Sequence, residues 1–319
     1  MLIRQAVEAE LEKSLMQSLK ALITRRRRAL AALGRINEYF DEVKINQGAI
    51  LSTLNQDRKS KNLKDYEFKI FSQWGEDGII QHLIKSVEIR DNTFIEFGVQ
   101  DFLESNCRFL LIKDRWKGFV LDGSKRNIER LKGSYFYWKH HLEAIHAFIT
   151  RENINELLAR SGFGSDLGIL SIDMDGVDYY ILEAIENFNP RILICEYNSV
   201  FGATRRISVP YRSDFRRRDA HRSNLYWGAS LGAMTHLAQK RGYALVGTNT
   251  AGNNAFYVRS DLLNDKLQAL SAEAAYAPSG YRESRDEHGA LTYVPGDKRL
   301  ELIRGMPVFN VETATTEPI

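Results

Sequence analysis

The 319-residue chain has little of what marks several protein classes. Its 2 cysteines, Cys107 and Cys195, stand far apart, with no cysteine or histidine near either at zinc-ligand spacing. That argues against a disulfide framework and against a structural zinc site. Both lie in apolar runs and read as buried, reduced thiols. Of the 6 prolines, none falls within residues 1–60. No run approaches the roughly 18 uncharged apolar residues of a membrane span. Charges scattered through the start of the chain break the apolar core that a signal peptide needs. A cytoplasmic protein is therefore expected. Nor does one sign of charge dominate: 44 basic against 41 acidic residues leave a net charge of +3. Bulk charge does not make this chain a polyanion binder, and no nucleic-acid partner is expected.

What is present is an ordinary globular composition, 44% hydrophobic and 27% charged, in a chain of one large domain with an appendage, or of two domains. The charge is unevenly placed. Residues 1–30 carry seven basic side chains against Glu8, Glu10 and Glu12, a net +4 that leaves −1 for the rest. Leu11, Leu15, Leu19, Leu22, Leu30, Leu33, Phe40, Val43, Ile50 and Leu54 recur largely at steps of three and four. The spacing predicts a long helix or helical hairpin over residues 1–60, with Gly34 and Gly48 as candidate breaks. The block Arg25–Arg28 interrupts the stripe. It suits a partner helix, an anionic glycolipid or a peripheral contact with the inner face of a membrane, and equally a solvated basic turn. A homo-oligomer built through this coiled-coil-like segment is expected. Residues 54–65 are polar and read as a linker.

Beyond the linker, short β-type runs (92–99, 118–124, 142–149, 167–175, 191–198, 242–249 and 254–259) alternate with helical patterns (79–88, 105–114, 125–132, 153–160, 178–188 and 230–241). The alternation predicts an α/β, Rossmann-like, doubly wound and mostly parallel seven-stranded sheet covered on both faces. Its last two strands, joined by the tight turn in TNTAGN, form a terminal antiparallel hairpin. The domain is expected over 61–264, with an insertion at 199–228 and a polar C-terminal extension at 265–319. That extension holds Arg282, Arg285, Asp286 and a strand-like MPVFNV.

In such sheets ligands lie beyond the C-terminal strand ends. Four strands end there in carboxylates: Glu96 before Gly98, Asp122 before Ser124, Asp173 with Asp175, and Glu196 before Asn198. Buried sheet edges do not collect acids without a use for them. Asp122 follows Gly98 at close to the ~20-residue offset at which an acid takes a ribose diol. Gly98 allows close approach of backbone to a cofactor. The turn reads G-V-Q-D-F-L rather than G-x-G-x-x-G, which disfavours a pyrophosphate cradle.

FSQWGEDGII, FIEFGVQDFLESNCRFLL, VLDGS, SIDMDGVDYYILEAI and ASLGAMTHLAQKRGYALVGTNTAGNNAFYV resemble the FkbM-type branch of S-adenosylmethionine-dependent class I methyltransferases, over about residues 66–262. The best-matching parts surround Asp173 and Asn253–Val258. Gln100-Asp101 depart from the pattern, where a second glycine region is usual. The resemblance implies S-adenosylmethionine as cofactor, held by Gln73, Glu96, Gly98, Asp122, Ser124 and Asp173, with Asp173 facing the methyl-transfer site. The expected reaction is in-line O-methylation of a sugar, glycolipid or related metabolite.

Asp173 and Asp175, with Asp178 opening the next helix and Glu196 and Asn198 on the adjacent strand, could form an all-oxygen Mg²⁺ site through Asp173, Glu196 and Asn198. Without metal, Asp173, Asp175 or His221 serves as general base. Asp178 also suits a helix N-terminus, Glu96 a hydrogen-bond partner and Ser124 a helix cap. The insertion carries seven arginines with Tyr211, His221, Tyr226 and Trp227, the composition of a lid over a small-molecule or glycan acceptor, anionic if the arginines meet it. Two other classes remain open: a nucleotide-sugar or NAD enzyme on the same sheet, and a non-catalytic assembly protein oligomerising through its N-terminal helix.

Overall fold

The computed structural model describes residues 2–280 and 283–319. Within its first helix, nothing is described for the side chains at 2–9, 11, 12, 30, 31, 33 and 34, so Leu11, Leu30, Leu33 and also Arg282 lie outside the described residues. The chain divides into two compact units, Met1–Asn46 and Gln47–Ile319.

The backbone is helical from Leu2 to Leu54 (α1) without a break at Gly34 or Gly48. Gly48 serves close approach instead: a Cβ there would stand 2.5 Å from the Phe109 ring and 2.8 Å from Ile70, so the absent side chain is what lets these groups meet. Arg25–Arg28 are exposed on the helix, as are Leu15, Leu19 and Leu22. No helix among the described residues is long and apolar enough to cross a membrane. Where the sequence suggests a linker over residues 54–65, the helix end and residues 55–66 belong to the larger unit. Leu63 and Tyr66 are buried, and the Tyr66 hydroxyl donates to the Arg58 and Ser60 carbonyls at 2.8 and 2.7 Å. A polar run can pack when its few apolar members supply the anchor.

The larger unit continues with α2 (Glu76–Ser86), β1 (Thr93–Phe97), α3 (Arg108–Lys113), β2 (Lys117–Asp122), α4 (Lys125–Lys132), β3 (Leu142–His146), α5 (Ile154–Ala159), β4 (Ile169–Ile172), α6 (Asp178–Ala184) and β5 (Ile192–Glu196). After them come β6 (Ile207–Ser208), α7 (Arg217–Ala220), α8 (Leu231–Lys240), β7 (Tyr243–Thr248), β8 (Asn254–Arg259), α9 (Ala272–Ala275), α10 (Lys298–Glu301), β9 (Pro307–Asn310) and β10 (Thr315–Pro318).

Seven strands form one sheet in the order β3-β2-β1-β4-β5-β8-β7. Neighbours from β3 to β5 are parallel, and β8 runs antiparallel between β5 and β7. This is the Rossmann-like α/β fold with a terminal hairpin that the alternating pattern predicts. Side chains alternate between the two faces. Ile95, Phe97, Phe119, Leu121, Leu170 and Ile172 pack with α5, α6 and α8. Phe94, Val120, Ile169, Ile192 and Ile194 pack with α2, α3 and α4. Cys107 and Cys195 are buried free thiols, and burial pushes both well up from the ordinary thiol range.

The insertion and the C-terminal extension fold together. Strand β9 pairs antiparallel with both β10 and β6, making a second sheet over its own apolar cluster, which includes Ile207, Val209, Leu225, Ile303 and Val308. Arg205–Glu317 at 2.7 Å and Arg206–Glu312 at 2.8 Å tie its edges.

Candidate active site

The switch in strand order falls between β1 and β4, where a ligand crevice is expected. A cleft of about 860 Å³ opens there, lined by Gln73, Glu96, Gly98, Asp122, Asp173, Asp175 and Glu196 among others. Seven of the ten site residues expected from the sequence therefore share one cavity.

Gly98 ends β1 with φ +71°, and a Cβ on it would lie 1.6 Å from the Asp173 carbonyl oxygen. Only glycine lets the ends of β1 and β4 come this close. Two residues on, Gln100 occupies the left-handed region at φ +50° where a second glycine would be comfortable. Its N–H donates to Asp122 Oδ2 at 2.8 Å, and the Ser124 N–H donates to Asp122 Oδ1 at 2.8 Å. Asp122 is thereby fixed against the cleft by two backbone donors. Asn127 Nδ2 also donates to Oδ1, at 3.4 Å, while Oδ2 keeps a second lone pair for a ligand hydroxyl.

Glu96 is buried and engaged elsewhere. Its carboxylate accepts from Ser105 Oγ at 2.5 Å, from Asn106 N at 2.8 Å and from Cys107 N at 3.1 Å, so it holds the loop before α3. Burial pushes it up, partly offset by those bonds. Ser124 caps α4, accepting from Asn127 N at 3.3 Å, and does not line the cleft. The helix start uses the hydroxyl that the family resemblance assigns to the cofactor.

Asp173 and Glu196 face each other because β4 and β5 are in register at Ile172 and Cys195. At the ends of neighbouring strands the two carboxyl groups are close enough to interact directly. Burial first, and then the charges of Asp175 and Asp178, push Asp173 well above the carboxylate range, while burial and then Asp173 and Asp175 do the same to Glu196. Glu196 is buried, and its Oε2 has no hydrogen-bond partner among the described residues. Asp178, also buried, accepts from the N–H groups of Met174 (2.8 Å) and Gly176 (3.0 Å). It caps its own turn, and burial pushes it up to about 6.

The metal set is not assembled. Asn198 turns away from the cleft, its Nδ2 donating to the Leu225 and Trp227 carbonyls at 2.9 Å and its Oδ1 accepting from Val200 N. Among the described residues no group of three or more histidine, cysteine or acidic side chains could hold a metal ion. His221 is also absent from the cleft lining: its Nδ1 meets Ser223 Oγ at 2.8 Å, stabilising the bend after α7. Asp175, at φ +55°, is paired with Arg217 at 2.7 Å.

The lid arginines mostly pair with acids of the protein: Arg205, Arg206, Arg212, Arg217 and Arg222 all form ion pairs. Only Arg217 lines the cleft, stacked over Trp227 and reaching Asp175 and Glu283. The lining carboxyls are Glu96, Asp101, Glu104, Asp122, Asp173, Asp175, Glu196 and Glu283, so the cleft is acidic and the expected anionic acceptor does not suit it.

Sequence reasoning missed the support of the 71–75 loop. The buried Glu76 accepts from Asn249 Nδ2 (2.7 Å) and Asn254 Nδ2 (3.0 Å), fastening this loop to the β7–β8 turn. Asp77 Oδ2 accepts from the N–H groups of Ile70, Phe71 and Ser72. Asn253 and Asn254 also line the cleft. The run of asparagines in TNTAGNN was the available signal.

The fold and cleft thus define a Rossmann-like α/β protein with an acidic ligand crevice at its strand ends. No protein-family model matches the chain, and no curated protein does. Among solved structures it is similar to an S-adenosylmethionine-dependent methyltransferase from Aquifex aeolicus (8% identity, 56% of this chain and 88% of that one, TM-score 0.32). It is also similar to M. capricolum TrmK in complex with S-adenosyl-homocysteine (9%, 58% and 71%, TM-score 0.34). A third is a precorrin-6y C5,15-methyltransferase from Geobacter metallireducens (10%, 60% and 90%, TM-score 0.33).

Proposed function

We propose that the chain is an S-adenosylmethionine-dependent O-methyltransferase acting on an uncharged hydroxyl acceptor, such as that of a sugar. The observation that carries the reading is Asp122: a carboxylate at the end of β2, held by two backbone N–H groups and turned into a cleft beside the left-handed Gly98. That arrangement suits a ribose diol. The surrounding carboxylates suit a cofactor bearing a sulfonium and an ammonium group. When bound, S-adenosylmethionine supplies an electrophilic methyl group on sulfur.

The protein's own part is proton handling. Asp173 and Glu196 are both pushed well above the carboxylate range, chiefly by burial, so whichever of them is ionised is a stronger base than a free carboxylate. Asp173 is the more exposed member and is the one an acceptor hydroxyl can reach, with Glu196 orienting it. A general base of this kind is worth about 10²–10⁴ in rate.

Calorimetric titration with S-adenosylhomocysteine tests the reading. Binding is expected in the micromolar range and falls at least tenfold in Asp122→Ala, consistent with loss of charge-assisted hydrogen bonds worth about 1.5–3 kcal/mol. A folded protein that does not bind the compound overturns it. Leu15, Leu19 and Leu22 are exposed at steps of four and three along α1. We also propose that this stripe joins copies of the chain, and a monomer at all concentrations in sedimentation equilibrium overturns that.

A further inference from the structure

A second cavity, of about 550 Å³, lies between the last turns of α1, the segment 58–61, α2 and the loop at 265–266. It shares no lining residue with the acidic cleft. Its charged lining is Arg58, Lys59, Lys61, Lys85 and Lys266 against Asp265 alone, a sign opposite to that of the cleft. Among the described residues none of Arg58, Lys59, Lys61 and Lys266 forms an ion pair. Five cations around one concavity repel one another, and a bound anion relieves that repulsion.

The cavity wall is built of ordered polar groups rather than surface side chains alone. Ser52, Tyr66 and Gln81 are buried within it. Lys85 Nζ is positioned by Ser52, donating to its carbonyl at 3.1 Å and to its Oγ at 2.7 Å. The His82 ring stacks on the buried Tyr66 ring at 3.6 Å. Burial, Lys266 and Lys85 push His82 down to about 4, so at neutral pH the ring is uncharged and can still donate one hydrogen bond.

We propose that this cavity binds a phosphate-bearing small molecule, with Lys85 and Lys266 meeting the phosphate. Two observations point to phosphate attached to an organic body. The excess of four positive charges calls for a multiply charged group. The volume falls within the roughly 300–1,000 Å³ of small-molecule sites, well above what an inorganic ion fills. This goes beyond the methyltransferase reading and does not depend on it.

The test is calorimetric titration of the full chain with inorganic pyrophosphate, ADP and adenosine, with and without saturating S-adenosylhomocysteine. Pyrophosphate and ADP are expected to bind 1:1, adenosine is not, and added salt weakens the binding. Binding weakens at least tenfold in Lys85→Gln/Lys266→Gln, whose exposed side chains leave the fold intact, and is unchanged in Lys132→Gln on α4. Failure of both anions to bind overturns the proposal, as does equal affinity in the double variant. Displacement by S-adenosylhomocysteine also overturns it, because the anion then occupies the cleft. Pyrophosphate binding in a protein that ignores S-adenosylhomocysteine sinks the methyltransferase reading alone.

Discussion

Replacing Gly98 by alanine probes the joint between fold and cleft. Two costs separate cleanly. The first is conformational: an L-residue at φ +71° is disfavoured by about 1 kcal/mol. The second is steric. The new Cβ would lie 1.6 Å from the Asp173 carbonyl oxygen, whereas real Cβ contacts are essentially never under 3.0 Å, so the ends of β1 and β4 must part by at least about 1.4 Å. Overpacking of this kind costs about 1–3 kcal/mol, giving roughly 3 kcal/mol in all. Gly162 supplies the control, with φ +66° and nothing within 4 Å of its would-be Cβ. Its replacement carries only the conformational cost, about 1 kcal/mol. At about 2 °C per kcal/mol for a domain of this size, thermal unfolding should fall by about 6 °C in Gly98→Ala and about 2 °C in Gly162→Ala. The first variant should also lose affinity for S-adenosylhomocysteine, because Asp173 moves with the strand end. Equal shifts in the two variants would refute the close approach and with it this account of the glycine.

Stability should depend on pH through Asp77 and Asp178, both pushed up to about 6 by burial. Because the folded values lie above the unfolded ones, the folded state holds more protons. Their contribution is complete below pH ~4 and is lost as pH rises through 6, so urea midpoints should fall between pH 4 and 7, less steeply in Asp178→Asn. A midpoint that rises smoothly across that window contradicts the burial argument. At the opposite end of the strands, Arg191 is buried and held bidentately by Asp166 at 3.0 and 2.6 Å. Asp166→Ala leaves that guanidinium without its carboxylate and should cost about 3 kcal/mol in urea unfolding. A loss under 1 kcal/mol would show the pair to be dispensable. Since Asn198 is turned away from the cleft, a chelator should leave the proposed methyl transfer unchanged. Loss of turnover restored by Mg²⁺ would reverse that conclusion.

The alternation of apolar runs made the sheet legible, because side-chain period and loop spacing are local properties. The carboxylates Asp122, Asp173 and Glu196 were legible for the same reason: a strand end locates its last residue whatever the partners do. Ser124, Asn198 and His221 have the right chemistry within a few positions of the cleft and still point elsewhere. Each is taken by a nearby backbone or hydroxyl group, a helix N–H, two lid carbonyls or Ser223, and sequence spacing does not say which way a side chain turns. The lid arginines misled in a similar way. Four of their acids, Glu283, Glu287, Glu312 and Glu317, lie 65 or more residues downstream, beyond the reach of local pattern. The bond from Asn254 to Glu76 spans 178 positions and was invisible for the same reason.

The second sheet has a consequence for the order in which the molecule can be made. Strand β6 of the insertion finds its partner β9 about a hundred residues later, and the Tyr226 hydroxyl and Arg217 likewise wait for Pro307 and Glu283. As the chain emerges during synthesis, the seven-stranded sheet can close once β8 is out, with the segment from β6 to α7 still lacking its cross-strand neighbour. The residues that frame the cleft mouth are then the last to be secured. A chain halted after β8 would retain Asp122, Asp173 and Glu196 without the segment that braces Arg217 above them.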